Sequence, residues 1–244
     1  MTSREIILRE MGLTPIWVNR ADAADATVAE LPVAEHPKPV PIAAPEPEVS
    51  SAEREAIIKN LSWDELINSI AACTACKLCK TRTNTVPGVG DRSPAWMVIG
   101  EAPGENEDRE GEPFVGKSGQ LLDAMLVAVG KKRGDGVYIA NVIKCRPPGN
   151  RDPESDEIAA CVPYLNRQIA LAQPKLLLAS GKFAAQILLK CDDSVGTMRA
   201  LPAAESQRSG VPIVVTYHPS YLLRSPLEKA KAWDDLMKAK ALVP

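Results

Sequence analysis

Four short runs of consecutive apolar residues stand out along the chain: Trp96–Gly100, Val137–Val142, Lys175–Ser180 and Pro212–Tyr217. Each is too short for a stable helix and lacks the in–out alternation of a half-exposed strand, which is the pattern of strands buried on both faces. Between them, apolar positions recur at helical spacing over Gln120–Val129, Glu154–Ala172 and Lys182–Leu189. Ser62-Trp63-Asp64-Glu65 has the form of a capping box and predicts a helix running to about Ala72. Ser225-Pro226-Leu227-Glu228 repeats that form, with proline in the favoured first position, and predicts a last helix. Strands alternating with helices place the chain in the α/β class, with a parallel sheet covered on both faces.

In such sheets ligands bind just outside the carboxyl ends of the strands. The polar, Gly- and Pro-rich segments fall there. Gly100-Glu101-Ala102-Pro103-Gly104 follows the first strand, and Asn141 lies near the end of the second. Ser180-Gly181 follows the third and His218-Pro219-Ser220 the fourth. That edge is the expected site.

Three regions follow from composition. Residues 1–18 form a short N-terminal segment in which Ser3 to Leu13 can be helical, with Trp17 as an exposed anchor able to dock a protein partner. Residues 19–51 are rich in Ala, Pro and Glu, bury too little to offset their ordering entropy, and are expected to be a disordered linker. Residues 52–244 are the folded domain, expected to be a monomer. The net charge of −2 at first argues against a nucleic-acid partner. Residues 1–55, however, carry 5 Lys/Arg against 10 Asp/Glu, and the remainder 24 against 21. The folded part is mildly basic, which permits DNA binding. No apolar run approaches the roughly 18–20 residues of a membrane span, and the N-terminus lacks a signal-peptide pattern. A cytoplasmic address is expected.

Cysteines stand at 73, 76, 79, 145, 161 and 191. Cys73 and Cys76 are a close pair at a helix end; Cys145 and Cys161 are a looser pair joined through the turn at Pro147-Pro148-Gly149-Asn150. Four thiolates in two such pairs suit tetrahedral zinc or a 4Fe–4S cluster. Spacing alone does not choose, though the loose second pair tilts toward iron–sulfur. Cys79 is a substitute ligand by position, and Cys191 stands alone.

Read together, these segments resemble family 4 uracil-DNA glycosylases, the iron–sulfur branch of the uracil-DNA glycosylase superfamily. The resemblance is carried by Cys73-Thr-Ala-Cys76-Lys-Leu, by Gly100-Glu101-Ala102-Pro103-Gly104 with Glu107-Asp108, and by Gly111-Glu-Pro-Phe114-Val-Gly116-Lys-Ser-Gly119-Gln-Leu-Leu. Asn141-Val-Ile-Lys-Cys145-Arg-Pro-Pro and Tyr217-His218-Pro219-Ser220 complete it, in the family's order over about residues 70–225. It implies a three-layer α/β/α fold around a central four-stranded, mostly parallel sheet. It implies hydrolysis of the bond between uracil and deoxyribose, which starts base excision repair. It also implies Cys73, Cys76, Cys145 and Cys161 as ligands of a 4Fe–4S cluster, with uracil-containing DNA as partner and no membrane.

Roles then follow for single residues. A flipped uracil needs an aromatic platform, and Phe114 is placed for it. Asn141 presents a donor and an acceptor that match O4 and N3–H of uracil, a pattern cytosine reverses. His218 can hydrogen-bond O2 as negative charge develops on the departing base. Glu101 orients water or, with Ala102, contacts the base through the backbone, and Glu107 is a second candidate carboxylate. In another branch of the superfamily an aspartate at the position of Ala102 positions the water, and a tyrosine at the position of Gly104 excludes thymine. Here thymine exclusion falls to Glu107. For DNA, Tyr221 and Leu222 are candidate wedges. Lys117, Arg146, Arg151 and Arg224 are candidate phosphate contacts, with Ser118 at a helix opening and Ser220 beside His218. Two alternatives compete: a branch that traps DNA covalently through a histidine, absent from Pro147–Pro153 here, and a non-enzymatic iron–sulfur or zinc DNA-binding module.

Overall fold

The computed structural model describes residues 50–202, 207–208 and 210–244. The expected N-terminal helix, its Trp17 anchor and nearly all of the expected linker lie outside these residues. Ser50, at the linker's end, already caps the first described helix: its side chain accepts from the Glu53 N–H.

Six strands form one sheet in the order β1-β3-β2-β4-β6-β5. The central four are β2 (Trp96–Gly100), β3 (Val137–Asn141), β4 (Leu176–Ser180) and β6 (Val211–Thr216), all mutually parallel. They are the four apolar runs, each displaced by at most a residue. Two-residue antiparallel strands, β1 (Val89–Gly90) and β5 (Gln207–Arg208), close the edges. They are too short to leave a periodic signal. The expectation of a mostly parallel four-stranded centre therefore holds, with two additional edge strands.

Period-two geometry divides the buried strand residues between two cores. Met97, Ile99, Leu177, Ala179, Ile213 and Val215 face one way. They meet residues from α1 (Ser51–Asn60), α2 (Trp63–Ala71), α5 (Ser155–Ala172), α6 (Lys182–Leu189) and α7 (Val195–Ala200). Trp96, Val98, Val137, Ile139, Leu176 and Val214 face the other way, against α4 (Lys117–Ala128) and α9 (Lys229–Leu242). The result is a three-layer α/β/α architecture. The remaining short helices, α3 (Glu105–Glu110) and α8 (Pro219–Arg224), follow strand ends on the site edge.

The capping box at Ser62 forms, with Glu65 accepting from both the Ser62 N–H and its hydroxyl at 2.8 and 2.6 Å. The second expected box does not. Ser225 instead starts a single 3-10 turn, Pro226–Glu228, and Glu228 pairs with Lys231 as α9 begins. No described helix is long and apolar enough to cross a membrane.

Candidate functional site

The carboxyl ends of the parallel strands are level. Gly100 pairs with Asn141, and Ser180 with Thr216. Loop 101–104, the Phe114 loop, Asn141 and His218 therefore meet on one edge. Gly100 is the floor of this junction. A Cβ there would lie 2.4 Å from Asn141 Oδ1 and 2.6 Å from Phe114 Cζ. Only a residue without a side chain lets the amide and the ring come together. His218 also stands beside the ring, its centroid 5.4 Å from that of Phe114 and tilted by 31°. Gly181, with φ +96°, leaves room for it: a Cβ there would be 3.0 Å from His218 Cβ. Three side chains distant in sequence thus converge.

Each carries an unusual physical feature. Phe114 has φ +55°, a left-handed conformation that costs a non-glycine residue about 1–3 kcal/mol and marks a position held for a purpose. Asn141 is 2% exposed, yet its Oδ1 has no hydrogen-bond partner. A buried acceptor left unpaired costs about 1–3 kcal/mol, so its natural partner is a donor brought by a ligand. The strand end beneath it is fixed by wholly buried Lys144, whose ammonium donates to the Asn141 carbonyl at 2.6 Å and to Gln168 Oε1 at 2.7 Å.

His218 is held by its own helix start. The Ser220 N–H donates to Nδ1 at 3.2 Å, and the Ser220 hydroxyl stands 2.7 Å from the same atom. Nδ1 is therefore the acceptor of the ring and Nε2 carries the proton. Burial, reinforced by the Arg224 charge and opposed by Glu107, brings the imidazole pKa down to about 4. The ring is a neutral N–H donor at physiological pH. Burial, with Asp152 adding like charge, pushes the Glu101 carboxyl up to about 7.

Glu107 has a different place from the one expected of a reacting carboxylate. Oε2 accepts from the Gly104 N–H at 3.1 Å, and Oε1 from the N–H groups of Val115 and Gly116 at 3.0 and 3.3 Å. It ties loop 101–104 to the Phe114 loop. It also occupies the space at Gly104, where a Cβ would lie 2.7 Å from Oε2.

The model for the uracil DNA glycosylase superfamily matches residues 87–237. A type-4 uracil-DNA glycosylase of Archaeoglobus fulgidus is 41% identical over 182 residues, 72% of this chain and 91% of its own. Those of Saccharolobus solfataricus and Thermotoga maritima are 42% and 40% identical over 184 and 177 residues, covering 84% and 91% of their lengths. The chain belongs to this superfamily, in its type-4 branch. The same superfamily was expected from five short motifs; three of them follow strand ends, at Gly100, Asn141 and Tyr217, while the Cys73 and Gly111 motifs follow helices.

The residues expected to meet DNA divide. Lys117, Tyr221 and Arg224 are exposed, and Ala102, Ser118, Arg146 and Ser220 are partly so. Tyr221 stacks on Tyr217 at 5.1 Å. Leu222 is a correction: at 1% exposure it is a core residue and cannot enter a duplex, because α8 turns it inward. Its neighbours Leu223 and Leu227, 43% and 92% exposed, face solvent instead. Arg151 is likewise committed elsewhere, to both oxygens of buried Glu157 at 2.6 and 2.9 Å.

In the core that packs against α1, α2 and α5, Cys73, Cys76, Cys145 and Cys161 line one small pocket with Ile70, Arg82 and Tyr164. Cys79 does not line it; its sulfur turns toward the Thr74 carbonyl at 3.9 Å. Arg82 and Arg54 donate to the sulfurs of Cys145 and Cys73 at 3.1 and 3.6 Å, and the Lys144 N–H to that of Cys161 at 3.3 Å. Burial pushes the Cys161 thiol up to about 12, so its thiolate is stable only against a compensating positive group. Among the described residues, no three His, Cys, Asp or Glu side chains stand close enough to hold one metal ion. The floor role of Gly100, the donors to the cysteine sulfurs and the exposed Leu227 had no sequence signal beyond residue type.

Proposed function

We propose that the chain hydrolyses the N-glycosidic bond of uracil in DNA, and that Phe114, Asn141 and His218 form the pocket for the flipped base. The observation that carries this reading is the unpaired, buried Oδ1 of Asn141, set beside an aromatic ring and a neutral imidazole donor. Taking a base out of the stack costs a few kcal/mol, which stacking on Phe114 and the polar contacts offset. Asn141 Oδ1 accepts from N3–H, and its amide group donates to O4. Cytosine offers an unprotonated N3 and a donor in place of O4, and is rejected.

As the C1′–N1 bond breaks, its electron pair stays with uracil and charge gathers on O2. The His218 Nε2–H is a fixed donor for that charge and needs no reorganisation as it develops. A neutral imidazole suits this role, since it donates without delivering its proton. Glu101, as carboxylate, orients the water that adds to C1′ and takes the proton the water gives up; that proton balances the uracil anion. Ala102 presents backbone to the base. Glu107 is a positioning residue that joins the two loops, and its bulk beside Gly104 stands where the C5-methyl of thymine would press. Tyr221 is the wedge that fills the gap in the duplex, while Lys117, Ser118, Arg146, Ser220 and Arg224 line the phosphate path.

Cys73, Cys76, Cys145 and Cys161 would hold a 4Fe–4S cluster. All four line one small pocket, and the loose Cys145–Cys161 spacing favours a cluster over the tight paired spacing usual for structural zinc. The cluster would cross-link the segment after α2 to Cys145, four residues beyond Asn141, and supply its charge to the buried thiolates. The donors from Arg54, Arg82 and the Lys144 backbone fit negatively charged sulfurs.

The test is a strand-nicking assay, with alkali after incubation, on oligonucleotides carrying uracil, thymine or cytosine at one position. Nicking at uracil alone, strongly reduced in Asn141→Asp, is expected. Equal nicking of all three, or none by well-folded protein, overturns the reading.

A further inference from the structure

The left-handed backbone at Phe114 does not arise from its own sequence preference, because a bulky side chain disfavours it. The side chain that holds it, Arg133, lies outside the motifs that carry the family resemblance. Arg133 sits in the turn between α4 and β3, in a Lys131-Lys132-Arg133-Gly134 stretch that reads as an ordinary solvated loop. Its guanidinium turns inward and forks. Nη1 donates to the Pro113 carbonyl at 2.8 Å and Nη2 to the Phe114 carbonyl at 2.8 Å. Nε donates to Asp123 Oδ1 on α4 at 3.0 Å, which fixes the plane of the group.

In extended backbone, consecutive carbonyls point to opposite sides. One planar guanidinium reaches both only when the residue between them is turned, as left-handed Phe114 is. The fork therefore bonds the turned conformation in particular. Gly119 completes the clamp. A Cβ there would lie 1.7 Å from the Phe114 oxygen, so the first turn of α4 presses against the same carbonyl. With the carbonyl caught between Arg133 and α4, the ring lies over Gly100 beside Asn141 and His218.

We propose that Arg133, oriented by Asp123, is the positioning residue of the base platform: it keeps Phe114 in its strained conformation and touches neither DNA nor base. This rests on the reading of Phe114 as the stacking surface for uracil. Without the fork the backbone relaxes toward an extended form and swings the ring off the pocket. Misplacement by about 1 Å is expected to lower turnover on the order of 100-fold. Lysine offers one point of charge instead of a fork and restores only part of that loss.

The experiment measures three quantities in the full chain. They are single-turnover uracil release at saturating DNA, inhibition by free uracil, and affinity for uracil-free duplex. Arg133→Met is expected to lose turnover and uracil inhibition together while its affinity for uracil-free duplex stays within about threefold. Arg133→Lys and Asp123→Asn are expected to fall between it and the wild type. If Arg133→Met does not fold, these two variants carry the test alone. In a Phe114→Ala background, Arg133→Met should lower uracil inhibition no further, because the ring it positions is gone. Wild-type uracil inhibition and turnover in the folded Arg133 and Asp123 variants overturn the inference, provided Phe114→Ala itself is impaired. If Phe114→Ala releases uracil at the wild-type rate, the platform reading fails first, and the inference with it.

Discussion

Gly100→Ala is the sharpest small perturbation of the pocket. The backbone at Gly100 is in a region any residue adopts, so alanine brings no torsional strain. The added carbon lands 2.4 Å from Asn141 Oδ1 and 2.6 Å from Phe114 Cζ, where ordinary contact begins near 3.4 Å. The amide must retreat by about 1 Å and the ring by nearly as much, and a misplacement of that size at a reacting centre costs about 100-fold in rate. Overpacking typically costs about 1–3 kcal/mol. For a chain of this length each kcal/mol lowers the melting temperature by roughly 2–4 °C, so the variant stays folded at assay temperature. Single-turnover release from a uracil oligonucleotide, read beside a thermal melt, separates the two effects. A loss near 100-fold with a modest drop in melting temperature is expected. A folded Gly100→Ala protein that releases uracil at the wild-type rate would refute the idea that Asn141 and Phe114 share the base over this glycine.

Because the Glu101 carboxyl is raised to about 7, it is protonated below that pH, and kcat/KM should rise with pH through about 7 and level off above it. Glu101→Gln should be slower and lack that limb. His218, lowered to about 4, stays neutral above that pH, so no inflection near the ordinary histidine value of 6.5 is expected. His218→Ala should lose about 10²–10³ in turnover with little change in DNA binding. Cys145→Ser should lose the broad visible absorbance of a bound cluster and melt at lower temperature, whereas Cys79→Ser should keep both; the reverse would reassign the ligand. Tyr221→Ala should slow release from duplex more than from single strands without altering the melt. Leu222→Ala should instead cost about 2–5 kcal/mol of stability, as a core truncation does.

Much of this was legible in the sequence for identifiable reasons. β2, β3, β4 and β6 are unbroken apolar runs because both of their faces are covered, so their existence and nearly their ends could be read directly. Asn141 and His218 stand at strand ends, where parallel sheets collect ligands, and Phe114 is a rare aromatic in a Gly- and Pro-punctuated loop. Leu222 could not be placed, because α8 is six residues long and a helix so short gives no periodicity to say which of Leu222 and Leu223 turns inward. α3 was missed because Glu105–Glu110 carries no apolar stripe at all. Glu107 and Arg133 act on backbone carbonyls and N–H groups, and such partners leave no mark on the residue types around them. Glu101 and His218 could be named from sequence, but their protonation is set by burial, which only the packed structure reveals.

The loops at one sheet edge form a single pocket for one everted pyrimidine. A crystal structure of the protein with uracil bound tests it most directly. The expected result is the ring stacked on Phe114, N3 within hydrogen-bond distance of Asn141 Oδ1, and O2 within reach of His218 Nε2. Uracil bound elsewhere, with Asn141 Oδ1 still unpaired, would contradict it.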